Sequence, residues 1–396
     1  MKILSPKFAV LLTVFVGVLG IGIIIPILPF YIESYNVGAF VVTSFFSIFA
    51  FCAFLSAPVI GALSDRFGRR PVMILSSFAT SVGWIVFASA GSLTWLFVGR
   101  IIEGVASGNI SAANSYLSDI SKDSKDRTAN LGLLGAVFGI GFIIGPALGG
   151  FLSKISLSFP FYFAAFLSVI ATLLSIFILP ESIKEKSKLK VSFNPFAPLK
   201  KILPMKKFRH YFIVWFVFNF GISIMQSVFA LYLFSAFGFR ELGSSIILAV
   251  IGLIIAINQG LLLRKFWIKN FKEKDLLFFG LLSLSIAFFF FSIGYLWVFI
   301  IGLLMNAFSQ SLLRIVITSE VSGLCEENVR GETLGVLMSL SSLCMTMAPL
   351  LAGFLFEINI KIPFVIASII SFFAFVLVYF ERRKIKDIKE ASPVIY

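Results

Sequence analysis

The chain has 396 residues, is 59% hydrophobic and 13% charged, and contains 49 phenylalanines at a mean hydropathy of +1.02. Soluble domains carry about 25% charged residues, so these figures exclude an ordinary soluble enzyme or binding module and indicate a membrane protein with many spans. The net charge of +14 would suit a nucleic-acid binder, but the placement of that charge along the chain argues against one.

A spanning helix needs ~20 apolar residues. Twelve such runs follow one another, near 8–32, 40–62, 72–90, 94–117, 129–152, 160–179, 211–236, 243–263, 276–294, 296–318, 331–355 and 361–380. Short polar turns separate them, and alternate turns carry nearly all the basic residues. Of the 33 Lys and Arg, 28 fall on one side, counting both termini. Lys154, Arg240 and Lys361 fall on the other side, and Arg100 and Arg314 lie within runs. That bias is the positive-inside rule, which sets both termini in the cytoplasm of a multi-pass protein of the cell membrane. Basic loops facing anionic lipid need no nucleic-acid partner.

The first run contains Gly20-Ile-Gly22, then Pro26 and Pro29, and its Gly17-Val18-Leu19 stretch has no carboxylate. It is too long for a cleaved leader and more runs follow. Between the second and third runs lies Gly61-Ala-Leu-Ser-Asp65-Arg66-Phe-Gly68-Arg69-Arg70-Pro71. Such a cationic turn must lie outside the bilayer core, where a charge costs ~3 kcal/mol or more. Gly61 and Gly68 permit tight backbone geometry. Asp65 is suited to accept from a helix N-terminus or an arginine, and Asp119, at the end of the fourth run, is a partner for one of the arginines, with Arg70 the one to test.

The fourth run holds Arg100-Ile-Ile-Glu103-Gly104, whose charged pair shares one helix face. Glu103 lies near mid-bilayer, and an intramembrane ionisable pair is read as functional, with self-neutralising orientation of the helix as its structural alternative. Asn109-Ile-Ser111 matches a glycosylation sequon but lies within this run, out of reach of a transferase. The fifth run carries Gly132, Gly141, Gly145-Pro146 and Gly149-Gly150, a spacing that clears one helix face for a close neighbour.

Pro180 to Arg209 is basic, proline-containing and without apolar periodicity, and reads as a linker. The domains are therefore 1–180, a linker at 181–209, 210–381, and a basic tail at 382–396. The halves share a repeat. Arg127 precedes Gly145-Pro146 as Arg330 precedes Ala348-Pro349, with 19 residues from Arg to Pro in each and an offset of 203. In the second half Asn219, Gln226, Asn258, Gln259, Asn306, Gln310 and Arg314 are the polar groups at membrane depth, and serve as cavity ligands or as interhelical hydrogen bonds. Arg314 with Glu320 is a candidate second gate pair. Cys52, Cys325 and Cys344 are scattered and read as reduced. Phosphate loops, His/Cys metal clusters and Ser-His-Asp sets are absent from the sequence, so neither a cofactor nor a metal is expected, and no enzyme activity.

The turn at Gly61–Arg70 resembles the G-x-L-x-D-R-x-G-R-R loop of the major facilitator superfamily. The Arg100–Gly104 segment is similar to its R-x-x-(Q/E)-G motif, and the fifth run is similar to the signature of its proton-coupled exporters. The Gly20–Pro29 run resembles that of drug:proton antiporters, above all tetracycline exporters, although these carry an aspartate just before it. The resemblance implies an all-α fold of twelve helices in two pseudo-symmetric six-helix bundles, with the arginine turn latching the halves on the inner side. It implies a secondary transporter that exports small amphipathic compounds in exchange for protons, working as a monomer in contact with lipid. Of the acids at depth, Glu33, Glu103 and Glu320, Glu103 is the expected proton carrier. An importer of a sugar or metabolite is the alternative, and a membrane enzyme or receptor a remote one.

Overall fold

The computed structural model describes residues 5–32, 35–183, 207–325 and 327–391, and every regular element among them is helical. The apolar runs become helices because a backbone with no water partner must satisfy its own hydrogen bonds. Helix α1 spans Pro6–Tyr31; Ser5 caps it by accepting from Phe8 N at 3.3 Å, and Pro6 begins it where no N–H is needed. Next come α2 (Ala39–Phe67), α3 (Arg69–Ala88), α4 (Leu93–Ala106), α5 (Asn109–Asp119), α6 (Ser124–Leu152) and α7 (Phe159–Ile178). Beyond the linker lie α8 (Arg209–Phe237), α9 (Glu241–Ile257), α10 (Glu273–Ile293), α11 (Leu296–Leu324), α12 (Glu327–Ile358) and α13 (Ile362–Ala391). Between α9 and α10 the chain runs through a π-helical segment, Asn258–Trp267, and one turn at Ile268–Asn270.

Eleven of these helices are long and apolar enough to cross a membrane. The twelfth expected span, 94–117, is built as two shorter helices. The chain breaks at Ser107-Gly108, where a Cβ on Gly108 would lie 2.6 Å from the Ile60 side chain. Helix α13 runs on into the basic tail, as far as Ala391. Of the linker, 184–206 lies outside the described residues, as does Glu33.

The chain groups into two compact units. The first comprises Met1–Ala197, Gln226–Gly252 and Met345–Glu357, and the second Pro198–Met225, Leu253–Cys344 and Ile358–Tyr396. In the first unit α1 packs chiefly on α6, and α3 on both α4 and α7. Its core is aromatic: Trp84 stacks on Phe161 at 6.0 Å between centroids, and Phe87 meets Phe161 edge-on at 5.0 Å. Far from the α2–α3 turn, Glu357 Oε1 accepts from Phe40 N at 2.9 Å at the first turn of α2, over the bare face of Gly38. In the second unit α10 packs on α11 and α13, helped by Gly280, whose Cβ would lie 2.9 Å from Leu313. Large apolar side chains such as Leu75, Phe177 and Trp297 stand exposed, as expected of surfaces meeting lipid.

Candidate functional site

Two charged constellations lie within the first unit. The first is a clasp at the α2–α3 turn. Gly68 has φ +112°, which strains any side-chain-bearing residue, and it lets α3 start immediately at Arg69. Its missing Cβ leaves room for Glu181, whose Oε1 accepts from Arg69 N at 2.9 Å and Oε2 from Arg70 N at 3.3 Å. Glu181 thus neutralises the N-terminal end of α3.

Arg69 itself is buried. Its Nη1 meets Asp65 Oδ1 and Ser64 Oγ, each at 2.6 Å, and its Nε donates to Asp119 Oδ2 at 3.1 Å. Ser182 Oγ also donates to Asp119 Oδ2, at 3.0 Å. Arg70 turns away and donates to Ile176 O at 2.7 Å, while Arg66 lies beside the Phe67 ring at 5.5 Å. Gly61 admits Ser111, whose Oγ would lie 3.2 Å from an added Cβ. Asp119 therefore pairs with Arg69 and not with Arg70, and Asp65 meets an arginine while Glu181 takes the helix end. Glu181 lies in the segment that reads as linker; an acid directly after the proline that follows the sixth run is the available signal.

A clear asymmetry between neighbouring arginines follows. Arg69→Ala removes bonds worth about 1–3 kcal/mol each at the buried end, less at half-exposed Asp65. Transport should fall strongly in Arg69→Ala and Asp65→Asn at wild-type membrane levels, and only modestly in Arg70→Ala. Uptake assays normalised to immunoblots of membrane fractions measure this. Equal loss at Arg69 and Arg70 would mean that total charge, and not the clasp, matters.

The second constellation lies on α4. Arg100 and Glu103 are 1% and 3% exposed, so the pair is removed from solvent altogether. Arg100 Nη1 bonds Glu103 Oε2, its Nε donates to Phe45 O at 3.3 Å, and its guanidinium stacks over Phe49 at 4.4 Å. Close helix contacts place the pair: a Cβ on Gly83 would lie 2.8 Å from Glu103 Cγ, and one on Gly104 would lie 2.7 Å from Phe49 O. Both residues line a cavity of about 60 Å³ with Trp84, Ser77, Thr80 and Asn109. Among the described residues, Glu103 Oε1 has no hydrogen-bond donor. A charge pair buried this way is held by mutual attraction, and losing either charge leaves the other uncompensated.

The glycine face of α6 meets α1. A Cβ on Gly145 would lie 2.8 Å from Leu19 O, one on Gly141 2.8 Å from Val18 Cγ1, and one on Gly149 3.3 Å from Ile23 Cα. Reciprocally, a Cβ on Gly22 would lie 3.0 Å from Pro146 Cδ, which sits within α6. Gly150 faces Ser245 instead, and Gly132 has open space. Three of the five expected glycines, together with Pro146, thus form one face.

In the second unit the polar candidates separate. Asn258 is fully engaged, donating to Ser311 Oγ and accepting from Trp267 Nε1 at 2.8 Å, which makes it interhelical. Asn219 Nδ2 donates to Trp215 O of its own helix at 2.8 Å. Asn306 is buried with both amide atoms unbonded, Gln259 and Gln310 are half-buried and Arg314 is exposed. Gln226, which falls in the first unit, is half-buried. Among the described residues no ion pair joins Arg314 to Glu320. Glu320 accepts from Tyr211 Oη at 2.8 Å and lies against the Glu273 carboxyl, so the expected second gate pair is corrected. Its failure has a geometric reason: six positions along one helix are ~9 Å apart and on different faces. The cysteines Cys52, Cys325 and Cys344 are free.

Helices of membrane length, a buried ion pair on α4 and a charged clasp at a helix end are the features of a membrane carrier. The sequence profile of the Major Facilitator Superfamily matches residues 10–272 and 260–393, and the chain belongs to that superfamily. It is 30% identical over 390 residues to multidrug resistance protein 2 of Bacillus subtilis (strain 168), covering 96% of each chain. It is 26% identical over 389 residues to the class H tetracycline resistance protein of Pasteurella multocida, covering 95% of this chain and 96% of that one. Among solved structures, the human organic anion transporter MFSD10 superposes with a TM-score of 0.71 at 24% identity, covering 94% of this chain and 98% of that one. The fold is the one expected of this superfamily.

Proposed function

We propose that the chain exports small amphipathic compounds from the cytoplasm in exchange for protons, as a carrier and not a catalyst. It sits in the cell membrane with both termini cytoplasmic and functions as a monomer in contact with lipid. Halves 1–180 and 210–381 work by alternating access, and the Asp65–Arg69–Asp119 clasp, whose members all lie in the first half, fixes the α2–α3 turn that the gating role requires. The polar groups Asn219, Gln226, Asn306, Gln310 and Arg314 contribute to substrate contact.

The observation that carries the reading is the buried Arg100–Glu103 pair with its unbonded Oε1 facing a cavity. A proton arriving on Glu103 leaves Arg100 without its counter-charge, and the local structure must then rearrange. That is the link an antiporter needs between protonation and conformation. The direction of transport draws support from the α6 glycine face and from relatives named for multidrug and tetracycline resistance.

The test is purified protein in liposomes with a pH-sensitive dye inside, challenged with tetracycline. Tetracycline should drive proton movement in the opposite direction, and an imposed proton gradient should concentrate tetracycline. Downhill tetracycline movement without proton flux would make this an uncoupled carrier, and transport of a sugar alone would favour the importer reading.

A further inference from the structure

We propose that the cavity inside the first unit holds water, and that Asn109 anchors the water through which Glu103 exchanges its proton. The inference rests on the reading of Glu103 as the proton carrier and adds a positioning residue to it. Among the described residues, two buried oxygens at this cavity lack a donor, Glu103 Oε1 and Asn109 Oδ1. Both belong to side chains at least nine-tenths buried, at 3% and 9% exposure. A buried acceptor without a donor is unfavourable, and ordered water is the usual remedy. At roughly 10–15 Å³ for each water, a cavity of about 60 Å³ has room for about four.

The other polar groups of the wall do not supply the missing donors. Thr13, Thr80, Ser107 and Ser168 each give their hydroxyl proton to a carbonyl of the local chain, at 2.7–3.0 Å. Their oxygens remain able to accept from water. Arg100 is the one charged neighbour of Glu103 in the wall; α1, α2, α3 and α7 contribute uncharged side chains there, among the described residues. Asn109 Nδ2 leans on Ser77 Oγ at 3.4 Å, which orients the amide and leaves Oδ1 as its acceptor.

Asn109 begins α5, just past the interruption at Ser107-Gly108, and lines the cavity together with Glu103 of α4. Water anchored at Asn109 takes the proton from the carboxylate as a hydronium ion, which leaves through the partly open side of the cavity, and the reverse path reloads Glu103.

The experiment uses full-length protein in liposomes with tetracycline as the transported probe. Asn109→Leu should slow tetracycline-driven proton flux about tenfold or more and displace its pH profile. Proton-independent tetracycline exchange should stay at the wild-type rate. Asn109→Ser, which restores a water-binding oxygen, should recover the flux. Ala171→Leu, which fills the cavity from α7, should reproduce the loss, and it carries the test if Asn109→Leu does not insert. Coupling lost in Glu103→Gln but kept in Asn109→Leu or Ala171→Leu overturns this inference alone. Coupling that survives Glu103→Gln overturns the carrier assignment, and this inference with it.

Discussion

Glu103→Gln is expected to leave the protein inserted and able to exchange substrate, but unable to accumulate it against a gradient. The substitution keeps an oxygen for Arg100 Nη1 and nearly the same volume, so the hydrogen bond to α4's arginine survives. What disappears is the site that takes up and releases a proton. The accumulation ratio should therefore collapse to unity, and its pH dependence should flatten. Glu103→Ala is a different experiment, because it takes away the hydrogen bond to Arg100 along with the charge, at about 3–5 kcal/mol, and should deplete the protein from the membrane. Tetracycline accumulation in energised vesicles, compared with counterflow in de-energised ones, separates the two effects. Wild-type accumulation with wild-type pH dependence in Glu103→Gln would send the proton elsewhere.

Gly145→Leu should be the most damaging single change on the α1–α6 face. Even a Cβ there would lie 2.8 Å from Leu19 O and 2.9 Å from Gly22 Cα, and both are backbone atoms that cannot swing aside. The helices must separate, and overpacking of this kind costs about 3 kcal/mol or more. Gly132→Leu is the matched control, because nothing lies within 4 Å of its added Cβ. Cysteine accessibility from each side of the membrane reads whether a surviving Gly145→Ala protein still alternates. The same exposure pattern as wild type would mean that the face serves packing only, and equal damage at Gly132 would mean that the contact distances mislead.

The architecture was legible because length and hydropathy leave little choice: apolar runs of ~20 residues in lipid become helices. The fourth run shows the limit. Ser107 and Gly108 are as compatible with an apolar helix as with its interruption, and only packing against Ile60 decides. For the same reason Asn109, visible as part of a sequon, gave no hint of lining one cavity with Glu103. The clasp was legible in its residue types but not in its pairing. Arg69 and Arg70 lie ~100° apart on a helix, so which one meets Asp119 depends on where α3 begins, and the backbone of Gly68 sets that. In the second half, residue type alone does not separate Asn258, whose amide is fully bonded, from Asn306, whose amide is not.

The clasp has a bearing on how the protein is made. Its members, from Ser64 and Asp65 through Arg69 and Asp119 to Glu181 and Ser182, all precede residue 183. The remaining 214 residues then take roughly 10–40 s to synthesise at about 5–20 residues per second. A nascent chain that has just released Glu181 from the ribosome already holds every group of the clasp, with the α3 cap arriving last. The carboxylate at 181 thus acts as a closing stitch in vectorial assembly. A fragment ending at Ile183 carries the whole motif, whereas one ending at Leu179 leaves the start of α3 uncapped.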